Sequence, residues 1–253
     1  MTTATTSPGV GGLLRDWRER RRFSQLDLAT MADVSTRHLS YVENGRSQPS
    51  RELVLHLARH LDVPRREQNQ FLLAAGYAPA FRELQLDDPD MAPIADALGI
   101  MMAAAEPNPA LVFDRRWNLV LANESALAWT ALVSPSLMEG VPNIARLTLH
   151  PAGLAGHIVN FDEVAEHLLT RLRRQHALTG DADLGDLLDE VADYVPAPAL
   201  ERGAAAGEVP VVIPMRLRIE GEEHAYASVV STFGTAMDVT ASELTIETFD
   251  PVS

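Results

Sequence analysis

The sequence has no cysteine and no lysine. The first absence excludes disulfides, thiolate metal sites and thiol catalysis, and it is compatible with a reducing cytoplasm. The second leaves arginine as the source of all 21 basic side chains. It excludes a P-loop lysine, a Schiff-base lysine and the Ser-x-x-Lys arrangement of penicillin-binding enzymes. Long apolar runs are also missing, since the uncharged stretch Ser125–Met138 is too short and too polar to span a bilayer. Met1–Gly9 is polar and uncharged, without the basic region and apolar core of a signal peptide. These absences predict a soluble cytoplasmic protein with no membrane partner.

What is present divides unevenly. The 253 residues carry a net charge of −14, which fits a DNA-binding protein poorly until the chain is split. Residues 1–86 hold 12 arginines against 9 acidic residues, a net +3, and residues 87–253 hold 9 against 26, a net −17. A length comfortable for two domains and an asymmetry of this kind suggest one half facing nucleic acid and an acidic half kept off the phosphates.

The stretch Ser24–Asn44, SQLDLATMADVSTRHLSYVEN, reads as two short helices joined by a tight turn. Ser24 with Asp27 forms a capping-box pattern, and Leu26, Leu28, Ala29 and Ala32 follow at helical spacing. Asp33-Val34 makes the turn and Ser35 caps the second helix. There Leu39 and Val42 face inward and Thr36, Arg37, Ser40 and Tyr41 outward. Asn44-Gly45 stops the helix, because both residues tolerate the left-handed conformation a C-terminus often needs. A second helix that is polar on its outer face suits entry into the DNA major groove.

Ser24-Gln25, Leu28-Ala29, Val34-Ser35 and Val42-Glu43-Asn44-Gly45-Arg46 together resemble the Cro/phage-repressor-type (XRE) helix-turn-helix family over residues 10–75. The resemblance implies five helices. One expected from Gly11 to Arg22 precedes the central pair. One capped by Ser50 runs to Leu61, and one opened by Pro64 at its first turn runs to Ala75. It also implies that Arg18 and Glu43 form an ion pair tying the first helix to the recognition helix. The predicted domain spans residues 10–77, followed by a linker at 78–92 with prolines and Asp87, Asp88 and Asp90.

Residues 93–250 change character. Met91–Ala105 is helical and apolar, and Leu111–Phe113 with Trp117–Leu121 suggest a hairpin. Helices are predicted from Ser125 to Val133, from an Asn160/Glu163 cap to Ala177, and over Asp181–Tyr194, with a loop at Pro196–Gly207. The period then switches to alternation: Val211, Ile213, Met215, Leu217 and Ile219 share one strand face. Gly221 turns the chain into a strand over Tyr226–Phe233, and Leu244–Phe249 is a third. The fold class is thus an all-α five-helix domain followed by an α+β domain of PAS type with an antiparallel sheet. Residues 111–126, LVFDRRWNLVLANESA, are similar to the opening of the MmyB-like transcription-regulator ligand-binding domain, as are NIARLTLHPAGL, LTRLRRQ and VIPMRLR. That resemblance implies a small, lipid-like ligand.

Arg37 is the best base reader, because arginine can bond guanine O6 and N7 together. Thr36, Ser40 and Tyr41 are its neighbours, while Gln25, Asn44 and Arg46 suit phosphate contacts that set register. Phe113, Trp117, Asn123, Met215 and Phe233 are candidate pocket residues. Arg171, Arg173, Arg174, Arg216 and Arg218 could meet an anionic head group, with surface salt bridges as the plainer role. His56 and His60 are four apart, yet nothing supplies a third metal ligand. Asp181, Asp183 and Asp186 lack the glycine and terminal glutamate of a calcium loop. No metal and no cofactor is expected. The function class is therefore a dimeric DNA-binding regulator with a double-stranded operator and a small apolar or fatty-acid-like effector. The alternatives for the second domain are a dimerisation or protein-interaction module without ligand, and an enzyme, for which no nucleophile elbow or dinucleotide fingerprint is found.

The two classes of DNA contact predict different losses. Arg37→Ala should weaken binding to the true operator by about 1–3 kcal/mol and relax the preference at one base position. Arg46→Ala should weaken all sequences alike and lower the slope of log affinity against log salt by about 0.9. Salt-titrated gel shifts on operator and random duplexes measure both, and equal loss on the two duplexes for Arg37→Ala removes it as a base reader.

Overall fold

The computed structural model describes residues 9–196 and 213–252. Met1–Pro8 and most of the Pro196–Gly207 stretch, with Val211, lie outside the described residues. The chain divides into two compact units. One runs up to Glu83 and includes Met237–Val239, and the other comprises Leu84–Ala236 and the residues from Thr240 onward. No helix among the described residues is long and apolar enough to cross a membrane.

The first unit is built from α1 (Val10–Arg20), α2 (Gln25–Met31), α3 (Thr36–Glu43), α4 (Arg51–His60) and α5 (Arg65–Ala74). Ser24 and Asp27 make the reciprocal capping box that starts α2, and the hydroxyls of Ser35 and Ser50 accept from His38 and Leu53 to start α3 and α4. Asp33 at φ 50° and Gly45 at φ 67° supply the left-handed residues that separate α2 from α3 and end α3. Pro64 stands one position before the expected one, as the N-cap of α5 rather than its first residue. Leu14, Trp17, Leu28, Leu39, Leu57 and Phe71 fill the core, with Trp17 edge-on to Phe71 at 6.4 Å. The segment after α5 is drawn onto this unit, because Asn69 accepts from the Ala80 and Phe81 amides.

The second unit begins with a single 3-10 turn, Pro89–Met91, leading into α6 (Ala92–Ala105). Then come β1 (Ala110–Phe113), β2 (Leu119–Ala122), α7 (Glu124–Ala128), α8 (Ile144–Leu149), α9 (Phe161–Thr179), α10 (Ala182–Ala192), β3 (Met215–Ile219), β4 (Glu222–Thr232) and β5 (Thr245–Pro251). The strands form one antiparallel sheet in the order β2-β1-β5-β4-β3, so the last strand is inserted at the centre. Leu98 and Met102 of α6 cover one face over Val112 and Ile246. The other face carries Leu111, Phe113, Leu217 and Phe249 and packs against α7–α10.

Four local features differ from the sequence expectations. Ile213 lies ahead of β3, because Pro214 has no N–H to give to a ladder. β4 starts at Glu222 rather than Tyr226, because Glu220 (φ 53°) and Gly221 (φ 90°) form a two-residue turn whose twist lets pairing begin at Ile219–Glu222. The expected Ser125–Val133 helix breaks into α7 and a 3-10 turn at Trp129–Leu132. Asn160 does not cap α9 through its side chain. Its amide instead donates to Glu163 and to the Pro214 carbonyl, and accepts from the Arg216 amide, fastening α9 to the entry of β3.

Gly11 marks the tightest approach between helices. A Cβ there would lie 2.3 Å from the Val42 carbonyl oxygen and 2.7 Å from that of Glu43. Gly11→Ala should therefore destabilise the first unit by about 1–3 kcal/mol, since backbone must shift to admit the methyl group. Gly99→Ala on α6 meets nothing within 4 Å. It should stabilise by up to about 1 kcal/mol through helix propensity. Calorimetry of both full-length variants gives the comparison, and matched transitions would show that α1 yields freely.

Candidate functional site

The outer face of α3 is the first candidate. Leu39, Val42 and Glu43 are buried, which turns Thr36, Arg37, Ser40 and Tyr41 outward. Arg37 lies along the helix, its Nε donating to the Tyr41 hydroxyl at 3.0 Å and its guanidinium 5.3 Å from the Tyr41 ring. This presents a charged donor group on a prearranged aromatic support. Arg46 is exposed just past the helix.

The inner face carries the charge that fixes α3. The Glu43 carboxylate is fully enclosed, and Arg18 grips it with two bonds, Nε to Oε1 at 2.7 Å and Nη2 to Oε2 at 2.9 Å. The Gln25 amide donates to Oε2 at 2.8 Å, and Arg15 stands 3.6 Å away. One carboxylate thus ties α1, α2 and α3 together. Burial works to raise the Glu43 pKa, but the hydrogen bonds from Arg18 and Gln25 and the positive charges of Arg18 and Arg15 outweigh it. The carboxyl therefore sits below the usual glutamate range. Arg18 also donates to the Phe23 carbonyl, which fastens the turn before α2.

Gln25 and Asn44, expected at phosphates, have internal partners. Gln25 holds Glu43, while the Asn44 amide donates to the Ser40 carbonyl at 2.8 Å and its oxygen accepts from Arg15 at 2.7 Å. His56 bonds the Ala32 carbonyl at 2.7 Å and packs edge-on to His60. Asp181 caps α10 and pairs with Arg115 at 2.7 Å. No group of three or more acidic or histidine side chains is placed to hold a metal among the described residues.

The second candidate is a cavity between the sheet and α7–α9. Room for the centres of water-sized molecules totals about 100 Å³. One water needs roughly 10–15 Å³ on that basis, so the space suits a ligand rather than a single trapped solvent molecule. Its walls are mostly apolar: Trp117, Trp129, Ile144, Leu168, Met215 and Phe249. A polar patch interrupts them where His167 and Arg171 on α9 face Glu247 on β5. Glu247 is buried between its cross-strand partners Leu111 and Val230. Arg171 Nη1 reaches both its oxygens, at 3.3 and 3.2 Å, and the guanidinium lies 4.8 Å from the Trp117 ring. His167 is exposed. Desolvation, and then the charge of Arg171, hold its pKa below the usual imidazole range against the opposing pull of Glu247.

Residues 94–253 match the model of the MmyB-like transcription regulator ligand binding domain. The chain belongs to that family. Residues 10–71 match a helix-turn-helix domain model. A search of curated proteins found no match. The chain therefore pairs a helix-turn-helix unit with an MmyB-like ligand-binding domain, the composition of a ligand-responsive transcription regulator.

Within the MmyB-like domain, Trp117 and Met215 line the cavity, and three other expected pocket residues do not. Phe113 is buried in the core cluster, 5.4 Å from the Trp117 ring. Asn123 is buried as the cap of α7 and is occupied by the amides of Ala126 and Ala110 and the Asn108 carbonyl. Phe233 packs on the opposite sheet face with the α6 cluster. Arg171 reaches the cavity as the head-group alternative allowed, whereas Arg216 pairs with Glu223 on the surface. Sequence reasoning missed Glu247 and His167. The one available signal was Glu247 at an inward position of an alternating strand, two residues before Phe249.

Trp117 owes its place to a turn. It sits at φ 67°, a conformation that bulky side chains rarely adopt. Asp114 holds the turn by accepting from the Arg116 and Asn118 amides, and the Trp117 indole N–H donates to Gln175 of α9 at 2.8 Å.

The buried Glu43 network has a defined pH dependence. A carboxyl whose folded pKa is depressed contributes stability above its unfolded value, about 4.3, and loses it as pH falls through the lower folded value. Amide exchange over residues 9–83 of the full chain should accelerate in that acid window, and Glu43→Gln should remove that component. At neutral pH Arg18→Ala should destabilise the unit by about 3–5 kcal/mol, because a buried charge loses its main partner. The joint replacement Arg18→Met with Glu43→Leu should be milder, and equal losses would show that the charge is not what matters.

Proposed function

We propose that the chain is a homodimeric, cytoplasmic, sequence-specific DNA-binding regulator of the XRE type. Its PAS-like C-terminal domain senses a small apolar ligand. The observation that carries this reading is the pairing, in one chain, of a clamped α3 whose free face is polar with a mostly apolar cavity in the MmyB-like domain. α3 enters the major groove with Arg37 as the main base reader and Thr36, Ser40 and Tyr41 beside it. Arg46 meets phosphate, and Gln25 and Asn44 contribute by holding Glu43 and the end of α3 in position. One such unit offers few contacts, so useful affinity requires two copies about one DNA turn, roughly 34 Å, apart. The apolar surface left on α6 by Ile100 and Met101 is a suitable place for the contact between copies.

A ligand in the cavity changes DNA binding only if its affinity differs between the DNA-competent and DNA-incompetent arrangements. The shift expected in operator affinity is about 1–3 kcal/mol. Operator gel shifts of full-length protein, stripped of bound small molecules and then reloaded with material extracted from it, test the proposal. A shift within that range supports a ligand switch. Identical affinity in both forms, with nothing extracted on mass spectrometry, leaves the second domain as a dimerisation module.

A further inference from the structure

Resting on the cavity as the ligand site, the polar patch in its wall specifies what the ligand carries. Arg171 and Glu247 face each other across the wall and already neutralise one another. Glu247 has only 7% of its side chain exposed and Arg171 24%, so both are held largely out of solvent. The guanidinium is also stacked on Trp117. Among the described residues, the other polar groups on the wall are the hydroxyls of Thr130, Thr148, Tyr226 and Ser228 and the imidazole of His167, whose pKa desolvation and the charge of Arg171 hold below the usual range. The Thr148 hydroxyl proton is given to the Ile144 carbonyl, so that oxygen faces the space as an acceptor.

A ligand carboxylate entering here meets a pair that is already neutral, so it either draws Arg171 away from Glu247 or shares it. In both cases two carboxylates face one guanidinium, and one negative charge is left uncompensated in a mostly apolar wall, which is strongly unfavourable. An ammonium meets the converse problem with Arg171. A neutral head group leaves the pair intact. It can accept from Arg171 or His167, or donate to Glu247 or Thr148, while its apolar body lies against Trp129, Ile144, Leu168 and Phe249. We infer that the cavity selects an uncharged amphiphile, such as an alcohol, ester, lactone or amide on an apolar body, over the carboxylate of the same skeleton. Glu247 is the specificity-determining residue. It acts by neutralising Arg171, the one arginine that lines the cavity among the described residues and would otherwise recruit an acid.

Isothermal titration of delipidated full-length protein with three probe series decides this: 1-alkanols, alkanoates and alkylamines of matched chain length, from octyl to dodecyl, at neutral pH. The alkanol should bind at least tenfold more tightly than the alkanoate and the amine of its own length. In Glu247→Gln, where Arg171 lacks its counter-charge, the alkanoate should gain at least tenfold and the alkanol change little. Alkanoates bound as tightly as alkanols, or more tightly, in the wild type overturn the inference and leave the ligand site standing. Absence of binding by all three series overturns the ligand-site reading, and the inference with it. The wild-type comparison is decisive by itself if Glu247→Gln fails to fold.

Discussion

A carboxylate buried in protein must find a cation, and each half of this chain is arranged around one that does. In the helical half Glu43 is enclosed and gripped by Arg18 through two short bonds, with Gln25 on the same oxygen. In the sheet half Glu247 is nearly as deep, yet Arg171 reaches it with a single nitrogen at 3.2 and 3.3 Å. The bidentate fork is the stronger arrangement and the more directional one. Short, forked pairing makes the first site a clamp. Longer pairing beside empty space makes the second a polar spot in a cavity wall.

The consequences follow the geometry. Because Glu43 lies on the inner face of α3, everything that secures it also aims the outer face: α1 through Arg18, α2 through Gln25, and the end of α3 through Arg15 and Asn44. Gly11 lets α1 approach the α3 backbone closely enough for this to work. In the sheet half the insertion of β5 between β1 and β4 brings Glu247 and Phe249 to the middle of the sheet, on the face that lines the cavity. There a charged residue and an aromatic one share a wall with α9.

The helical half was readable in the sequence because its signals are local. Ser24 with Asp27, Ser35, Ser50 and Gly45 each act within four residues of where they stand, and the helical period of Leu39 and Val42 gave the buried face. The sheet half was readable only as a list of elements. Strand order depends on pairing between β1 and a strand about 135 residues later, and nothing local announces it. The Arg171–Glu247 pair spans 76 residues for the same reason. Asn123 and Asn160 were recognisable as polar residues at element boundaries, but the partners that fix them to other elements are backbone groups farther along the chain. Phe113 and Phe233 were recognisable as inward aromatics, while which layer each joins is decided by the turn at Trp117 and by α6.

The distribution of the three tryptophans gives the molecule a separate optical label in each half. Trp17 lies in the helical core against Phe71, and it is the one indole of that half. Trp117 and Trp129 are both in the cavity wall, the first beneath a guanidinium and the second between Tyr226 and Phe249. Indole emission responds to nearby charge and to the loss of water. Replacing Trp17 by phenylalanine would therefore leave a protein whose fluorescence reports only on the cavity, and replacing the other two would leave one that reports only on the helices.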